Sequence, residues 1–242
     1  MKRFTRARAA AISSILVAAA AVVLGPLGGS AAAAELELGQ TTTPLTAPTC
    51  PAKGACNIVL TEMTVFETLR DGLAYPTQVH HAGEIVAFSL GVSPISTNAK
   101  TFQADLAYLE SRYGGTPQAA LTVLRPAGPH ASFRWAVAAE SQPVQLLPYL
   151  GEVTQFPLLQ PMPVVPGEIL GITVPTWAPI LAINLEPTDF AYRQSRSQSC
   201  SKLSNVVLAQ LSIGDSAGYG CTYPGTSAEY SATEITSPVP TR

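Results

Sequence analysis

His80 and His81, followed by Glu84, are the residues whose types best suit metal chemistry in this sequence. Neutral imidazole and carboxylate groups are common ligands of zinc and other divalent transition metals. On an extended segment, His80 and Glu84 point to one side and His81 to the other, and the spacing differs from the His-Glu-x-x-His pattern of zinc proteases. Because no third ligand is evident, we interpret the segment as a polar loop before a strand and predict no metal site and no cofactor.

Three glutamates beside predicted turns, Glu84, Glu152 and Glu168, are the candidates for the paired carboxylates of a glycoside hydrolase. Glu84 and Glu168 occupy equivalent positions in two Gly-Glu-Ile corners, which favours a structural role such as accepting hydrogen bonds from backbone donors. His130 lies in a turn that contains Pro, Gly and Pro, where a solvated side chain is ordinary, and the Gly-x-Ser-x-Gly pattern of many serine hydrolases does not occur. We therefore predict no catalytic residues.

Aromatic side chains near predicted loops are candidates for stacking on the apolar faces of sugars. Trp177, Tyr192 and Tyr219 are the possible ligand contacts that we select on this basis. Packing in the core is the alternative for Trp177. Trp135 alternates with apolar residues along a predicted strand, and we expect it in the core.

Residues 1–34 show the three parts of a secretory signal peptide. Four Lys and Arg lie within the first eight residues, an Ala-, Val- and Leu-rich run covers 9–24, and Ala32-Ala33-Ala34 matches an A-x-A cleavage site. A permanent transmembrane anchor is the alternative, but the apolar run falls short of the roughly 20 residues that a span requires. We predict a secreted, extracellular protein, in some settings associated with the cell wall, that has no membrane span after removal of the signal.

The charge balance disfavours nucleic acid as a partner. Without the cations of the signal peptide, ten Lys and Arg remain against 16 Asp and Glu, which gives a net charge of −6. A chain of this sign repels a phosphate backbone, and its Lys and Arg residues form no cluster in the sequence.

Four cysteines remain in the exported chain, and an even number in an oxidising compartment predicts disulfides. Three connectivities are possible. We favour Cys50–Cys56 and Cys200–Cys221, because each pair is local and brackets a loop. The Cys-x-x-Cys or Cys/His spacing of a zinc site does not occur.

Short β-prone segments separated by Pro or Gly recur about every 10–15 residues, as in sandwiches and barrels. The 21 prolines suit strand edges and turns, since proline cannot donate to a sheet ladder. A helix is predicted within 93–115, where Phe102, Leu106 and Leu109 recur at helical spacing before a Gly-Gly pair. The predicted strands cover residues 57–69, 84–92, 119–125, 132–140, 144–150, 153–159, 164–174, 179–185, 204–212 and 228–235.

We therefore predict an all-β fold, an antiparallel two-sheet β-sandwich of jelly-roll-like form with one short inserted helix. The sandwich domain is expected over 57–236. Residues 35–56 are Thr/Pro-rich and are expected to form a flexible leader. Residues 188–203 are expected to form a polar loop, and 237–242 a tail.

Several phrases of the chain resemble those of uncharacterised secreted proteins of actinobacteria. They are LTVLRP, FRWAVAAESQPVQLLPYLG, QFPLLQPMPVVPGEILGITVPTWAP and GCTYPGTSAEYSATEI. The resemblance covers roughly residues 57–235 and implies a jelly-roll-like β-sandwich, similar in outline to carbohydrate-binding modules. It implies no catalytic residues.

Three functions follow as expectations. The first is a secreted, non-catalytic module that binds polysaccharide of the cell envelope or its surroundings. The second is a structural or adhesive envelope protein whose partner is another surface protein. The third is a hydrolase with an unrecognised site. The sequence specifies no oligomeric state.

Overall fold

The computed structural model describes residues 33–49, 59–128, 133–196, 199–202 and 211–238. Within these ranges the chain forms fifteen strands, one α-helix and two short 3-10 helices, so the all-β prediction with one inserted helix is confirmed. The α-helix is α1, Ala99–Arg112, and the 3-10 helices are Leu147–Tyr149 and Cys200–Lys202. The strands are β1 Glu35–Leu38, β2 Leu60–Arg70, β3 Leu73–Ala74, β4 Gly83–Gly91, β5 Gln118–Pro126, β6 Arg134–Glu140, β7 Val144–Gln145, β8 Val153–Val164, β9 Ile169–Ala178, β10 Leu181–Ile183, β11 Ala191–Gln194, β12 Ser216–Gly218, β13 Thr222–Pro224, β14 Thr226–Ala228 and β15 Tyr230–Thr236.

Two antiparallel sheets pack face to face, which confirms the predicted sandwich. The small sheet has the strand order β1-β15-β4-β8. The large sheet follows the path β12-β6-β5-β9-β2-β11-β13, with β3 beside β2 and β7 beside β5, and β10 and β14 form a separate pair. Several neighbours in the large sheet, such as β2 and β9 or β2 and β11, are far apart in the chain, so its faces gather residues from distant segments.

The main core lies between the sheets and is built by alternation along the strands. Leu170 and Ile172 of β9 and Phe88 and Leu90 of β4 are all fully buried in it. Burial of this kind contributes about 25 cal/mol for each Å² of apolar surface removed from water. The strands therefore hold together chiefly through their inward-facing side chains.

A second apolar cluster lies on the opposite face of the large sheet. Val65 belongs to the main core, whereas its neighbour Phe66 belongs to the second cluster, and Leu170 and Ile169 divide in the same way. Successive side chains of a strand point to opposite faces. The outer face of the large sheet therefore carries a small core of its own.

Helix α1 covers one end of the sandwich. The side chain of Asn98 caps it by accepting hydrogen bonds from the N–H groups of Lys100 and Thr101. Leu109 packs into a cluster with Ile95 and Trp177. The helix therefore closes the core over Trp177.

Residues 35–49 are not the flexible leader that the sequence analysis expects. β1 pairs antiparallel with β15, with Glu35 opposite Ile235 and Leu38 opposite Ala232. Ala191–Gln194, predicted to lie in a loop, is strand β11, which pairs with β2 and β13. β1 does alternate as Glu-Leu-Glu-Leu, but it has four residues, as does β11, and each is fixed by its partner strands.

Residues 39–49, which we call the strap, are held by two carboxylates. The hydroxyls and one backbone N–H of residues 41–43 donate to Asp71 over 2.6–3.0 Å. The N–H of Thr46 donates to Oε2 of Glu229 over 3.2 Å. A Thr-rich stretch that lacks an apolar face is thus ordered by charge-assisted hydrogen bonds.

The strap contacts a buried ion pair. Arg70 and Glu229 have side chains that are 1% and 4% exposed, and their Nη2 and Oε2 atoms are 3.1 Å apart. Arg70 also donates through Nη1 to Oε1 of Glu229 and to Oγ of Ser227, and through Nη2 to the carbonyl oxygen of Thr43. The pair links β2 of the large sheet to the residue that precedes β15 of the small sheet.

Glu67 adds a second buried carboxyl group to this region. Its Oε1 atom accepts a hydrogen bond from the N–H of Ala228, and its Oε2 atom has no partner among the described residues. Burial raises the pKa of Glu67 well above its usual range, although the Ala228 N–H and the charge of Arg70 oppose the shift. The Glu67 carboxyl therefore favours its protonated form.

One predicted disulfide is confirmed, since Cys200 and Cys221 are joined with an S–S distance of 2.09 Å. Cys50 and Cys56 lie outside the described residues, as do His130, nearly all of the predicted signal peptide and most of the predicted strand 204–212. In the part of the chain that the structure describes, no helix has both the length and the apolarity needed to cross a membrane.

Candidate functional site

The three aromatic residues that the sequence analysis selects as ligand contacts are buried. Trp177 is 0% exposed, and its indole N–H donates to the carbonyl oxygen of Gly115 over 2.8 Å. Tyr192 stacks on Tyr223 in the main core, and Tyr219 packs in the second cluster. Their positions near loops reflect packing at strand ends, so they form no exposed platform.

The polar candidates are not brought together either. His80, His81 and Glu84 are exposed, and no group of three or more metal-ligating side chains occurs in the described ranges. Glu152 is also exposed. His80, His81 and Glu152 lie outside the strands, whereas Glu84 is an exposed residue of β4.

Glu168 has the corner role that the sequence analysis favours. It is 4% exposed, and its Oε2 atom accepts a hydrogen bond from the N–H of Val165 over 3.0 Å. Its Oε1 atom lies 3.2 Å from Nη2 of Arg125. Glu168 thus holds the turn before β9, and its charge is neutralised by an arginine.

One cavity lies at the β8 edge, between the two sheets. It has a volume of about 400 Å³ and is lined by Phe88 and by residues of 140–144 and 157–163. Its walls are largely apolar, and Leu159 beside it is 91% exposed. Polar groups of Glu140, Ser141, Gln142 and Gln160 also line it, but Phe88 is the one aromatic ring among its described lining residues.

A second cavity lies on the outer face of the large sheet, and we call it the aromatic groove. Its volume is also about 400 Å³, within the usual range for small-molecule sites. The residues that line it are Tyr75, Gln78, Pro126, Gly128, Phe133, Arg134, Trp135, Gly167 and Ile169. Three aromatic rings and an arginine therefore meet at one surface depression.

The second apolar cluster supports the floor of the aromatic groove. Trp135 is half-buried and contacts Phe66 edge-on, with ring centroids 5.5 Å apart. Phe66 in turn packs against Tyr219 at 4.9 Å. The alternation of its strand predicts Trp135 in the core. The structure instead places it against the second cluster, on the face of the large sheet opposite the main core.

Two of the aromatic residues that line the groove have strained backbones. Tyr75 and Phe133 have φ angles of 51° and 47°, a region that costs a bulky residue roughly 1–2 kcal/mol. Hydrogen bonds hold both: the Tyr75 N–H donates to the Thr68 carbonyl, and the Phe133 carbonyl accepts from the Tyr219 N–H. Strain of this kind is concentrated at functional sites.

Arg134 is one of the lining residues of the groove, and Arg193 lies next to another, Phe133. Nη2 of Arg134 donates to Oγ of Ser216 over 2.8 Å. The Cζ atom of Arg193 lies 4.1 Å from the Phe133 ring centroid, and its Nε atom donates to Oγ1 of Thr222. Burial lowers the pKa of Arg193, because its charge is partly removed from water.

Several polar groups along the groove are free to bind a ligand. Within the described residues, the Tyr75 hydroxyl, the Gln78 amide and the Trp135 indole N–H make no hydrogen bond. Among the described residues that line the groove there is no carboxylate, imidazole or thiol. These residues can stack on a ligand and form hydrogen bonds with it.

Sequence reasoning missed the groove, although one signal marks part of it. Phe133-Arg134-Trp135 places two aromatic residues around an arginine. No family model, curated protein or solved structure matches the chain. The function therefore has to be argued from the geometry of the groove.

Proposed function

We propose that the protein binds carbohydrate in the aromatic groove and acts as a secreted, non-catalytic module. The observation that carries the proposal is the grouping of Tyr75, Phe133 and Trp135 around a cavity of about 400 Å³, with Phe133 40% exposed. Sugar rings present apolar faces that stack on aromatic rings, and they present hydroxyls that bind amides and N–H groups. The groove offers both kinds of contact.

Secretion is supported by two features. The signal-peptide pattern of residues 1–34 is one. The Cys200–Cys221 disulfide is the other, since disulfides persist mainly in oxidising compartments. The resemblance to secreted actinobacterial proteins points in the same direction. The sandwich fold alone assigns no function, because unrelated activities share it, so the groove carries the argument.

The proposal is tested by retention on a glycan array and on insoluble cell-wall polysaccharides. Wild-type protein should be retained, and Phe133→Ala and Trp135→Ala should each bind at least about tenfold more weakly, a loss of about 1.4 kcal/mol. Tyr108→Ala is the matched control, because Tyr108 is an aromatic residue of α1 that is 58% exposed. Absence of retention on every glycan, or an equal loss in the control, would refute the proposal.

A second candidate function is adhesion to another surface protein through the β8 edge. The observation that favours it is the exposure of Val153, Leu159 and Val165 on or beside β8, at 48%, 91% and 54%. They are spread along β8, the edge strand of the small sheet, and an edge strand with exposed apolar side chains can pair with another chain. Co-purification with a surface protein that Leu159→Ser abolishes, together with no glycan retention, would favour adhesion over carbohydrate binding.

A further inference from the structure

We infer that the aromatic groove selects glycans that carry an oxyanion, such as the carboxylate of a uronic acid or a phosphate group. The inference rests on the proposed carbohydrate binding and adds the class of sugar. Its basis is the charge, the lack of ion pairs and the fixed position of two arginines, Arg134 and Arg193.

The first step is the local charge. The chain without its predicted signal peptide has a net charge of −6, yet the described residues that line the groove include Arg134 and no carboxylate. Arg193 adds a second guanidinium, in contact with the Phe133 ring. A positive site on a negative protein is expected to attract an anionic group of a ligand.

The second step is the lack of counter-ions. Among the described residues, the ion pairs with N···O distances within 4.0 Å are Arg70–Glu229 and Arg125–Glu168. Arg134 and Arg193 take part in neither pair. Their charges are therefore still available to a ligand, unlike the charge of Arg125, which is paired with Glu168.

The third step is preorganisation. Arg134 is held by the hydroxyl of Ser216, and Arg193 by the hydroxyl of Thr222 and the Phe133 ring. Each anchor uses one N–H group of a guanidinium that has five. The remaining donors suit bidentate binding of a carboxylate or phosphate, with less entropy lost because the side chain is already positioned.

The test compares polymers that share a sugar backbone. A polyuronate, its carboxyl-reduced neutral form and a phosphate-bearing glycan are presented to wild-type protein in a retention assay. We expect at least tenfold stronger binding to one of the acidic polymers than to the neutral one, and the preference should fall as salt screens the charges. The acidic polymer that is preferred identifies the oxyanion.

Variants separate this inference from the proposed function. Arg134→Gln and Arg193→Gln should lose the acidic preference but keep binding to the neutral polymer, whereas Trp135→Ala should lose both. Arg134→Lys, which keeps the charge without the planar fork, should lose part of the preference. Arg112→Gln is the matched control, since Arg112 is an exposed arginine of α1.

Equal binding of wild-type protein to acidic and neutral polymers would overturn the inference and leave carbohydrate binding in place. Binding to neither would overturn both. If a variant fails to fold, the salt dependence of wild-type binding decides: a preference that does not change with salt contradicts a role for the arginines.

Discussion

Arginine has opposite surroundings at the strap and at the aromatic groove. Arg70, beneath the strap, is 1% exposed and is held by the Glu229 carboxylate at 3.1 Å. Arg134, at the groove, is half-buried, and among the described residues its side chain donates to the hydroxyl of Ser216. A buried charge that is fully paired serves the fold, whereas an unpaired charge beside accessible aromatic rings is available to a ligand. The comparison indicates that residue type alone does not identify a site, but the partner of the residue does.

Among the variants that test this comparison, Arg70→Met should change the free energy of unfolding most. It leaves the carboxylate of Glu229 buried without its partner, which should lower the free energy of unfolding by about 3–5 kcal/mol. Arg134→Met, the matched variant at the groove, should cost about 1 kcal/mol or less. Urea unfolding measures both, and equal losses would contradict the division into structural and ligand-binding arginines. The double variant Arg70→Met/Glu229→Leu should recover much of the loss, because no unpaired charge remains.

The Cys200–Cys221 disulfide lies close to the groove, because Cys221 precedes Thr222, whose hydroxyl accepts a hydrogen bond from Arg193. Its removal tests how much this region contributes to stability. The bond closes a sequence separation of 21 residues, for which the chain-entropy model gives about 3 kcal/mol. Cys200→Ala/Cys221→Ala should therefore lower the free energy of unfolding by about this amount, as followed by denaturant titration. An unchanged midpoint in the double variant would show that the disulfide contributes nothing to stability.

Glu67→Gln tests how the buried Glu67 carboxyl affects the pH dependence of the free energy of unfolding. Burial raises the pKa of folded Glu67 above the unfolded value of about 4.3, so its contribution to stability is fully present below that pH. The contribution is lost as the pH rises through the folded pKa, by at most about 1.4 kcal/mol per pH unit for one proton. Glu67→Gln should remove this part of the decline. Parallel profiles for variant and wild type between pH 5 and 8 would exclude Glu67 as its source.

Burial also raises the pKa values of Glu140 and Glu234. The wild-type profile therefore contains their contributions as well. Glu67→Gln is expected to flatten the decline only in part.

Asp71→Asn has the smallest expected effect and tests the strap itself. Burial alone would raise the pKa of Asp71, but the hydrogen bonds from Thr41, Thr43 and Thr42 together lower it well below its usual range. The stability that follows is present above the unfolded pKa of about 3.9 and is lost as the pH falls through the folded pKa. Because Asp71 is partly exposed and solvent screens the interaction, we expect a loss of about 1 kcal/mol at pH 7.

The acid limb of the stability curve measures the Asp71 contribution. Wild type should lose more stability than Asp71→Asn between pH 5 and pH 3. Thr41→Val, which removes one of the hydrogen bonds, should show a smaller change in the same direction. Identical acid limbs would show that Asp71 does not fix the strap.

Local signals were enough to predict the fold class. Alternation and the Pro and Gly positions placed β4, β5 and β15 close to their observed bounds, and the spacing of Phe102, Leu106 and Leu109 placed α1. The Cys200–Cys221 bond followed from the short separation of the two residues. These features depend on neighbours in the chain, which a sequence displays directly.

The strap and the groove depend on distant partners. The N–H of Thr46 donates to Glu229, which is 183 residues away in the chain. The composition of a Thr-rich segment does not predict that contact. The groove joins Tyr75, Trp135 and Gly167 through the strand order of the large sheet. Alternation along β6 placed Trp135 on the same face as Val137, but it did not show that this face lies opposite the main core. Long-range pairing therefore set the limit of what the sequence could predict.

The pairing of β1 with β15 has a consequence for the order of folding. Glu35 is opposite Ile235, so the small sheet joins strands from the two ends of the domain. A ribosome releases β1 long before β15 has been synthesised, and contacts over such separations form slowly. The neighbouring strand β4 is likewise without β15 until then. A chaperone or protease that meets the nascent chain therefore has access to this layer until β15 has been synthesised.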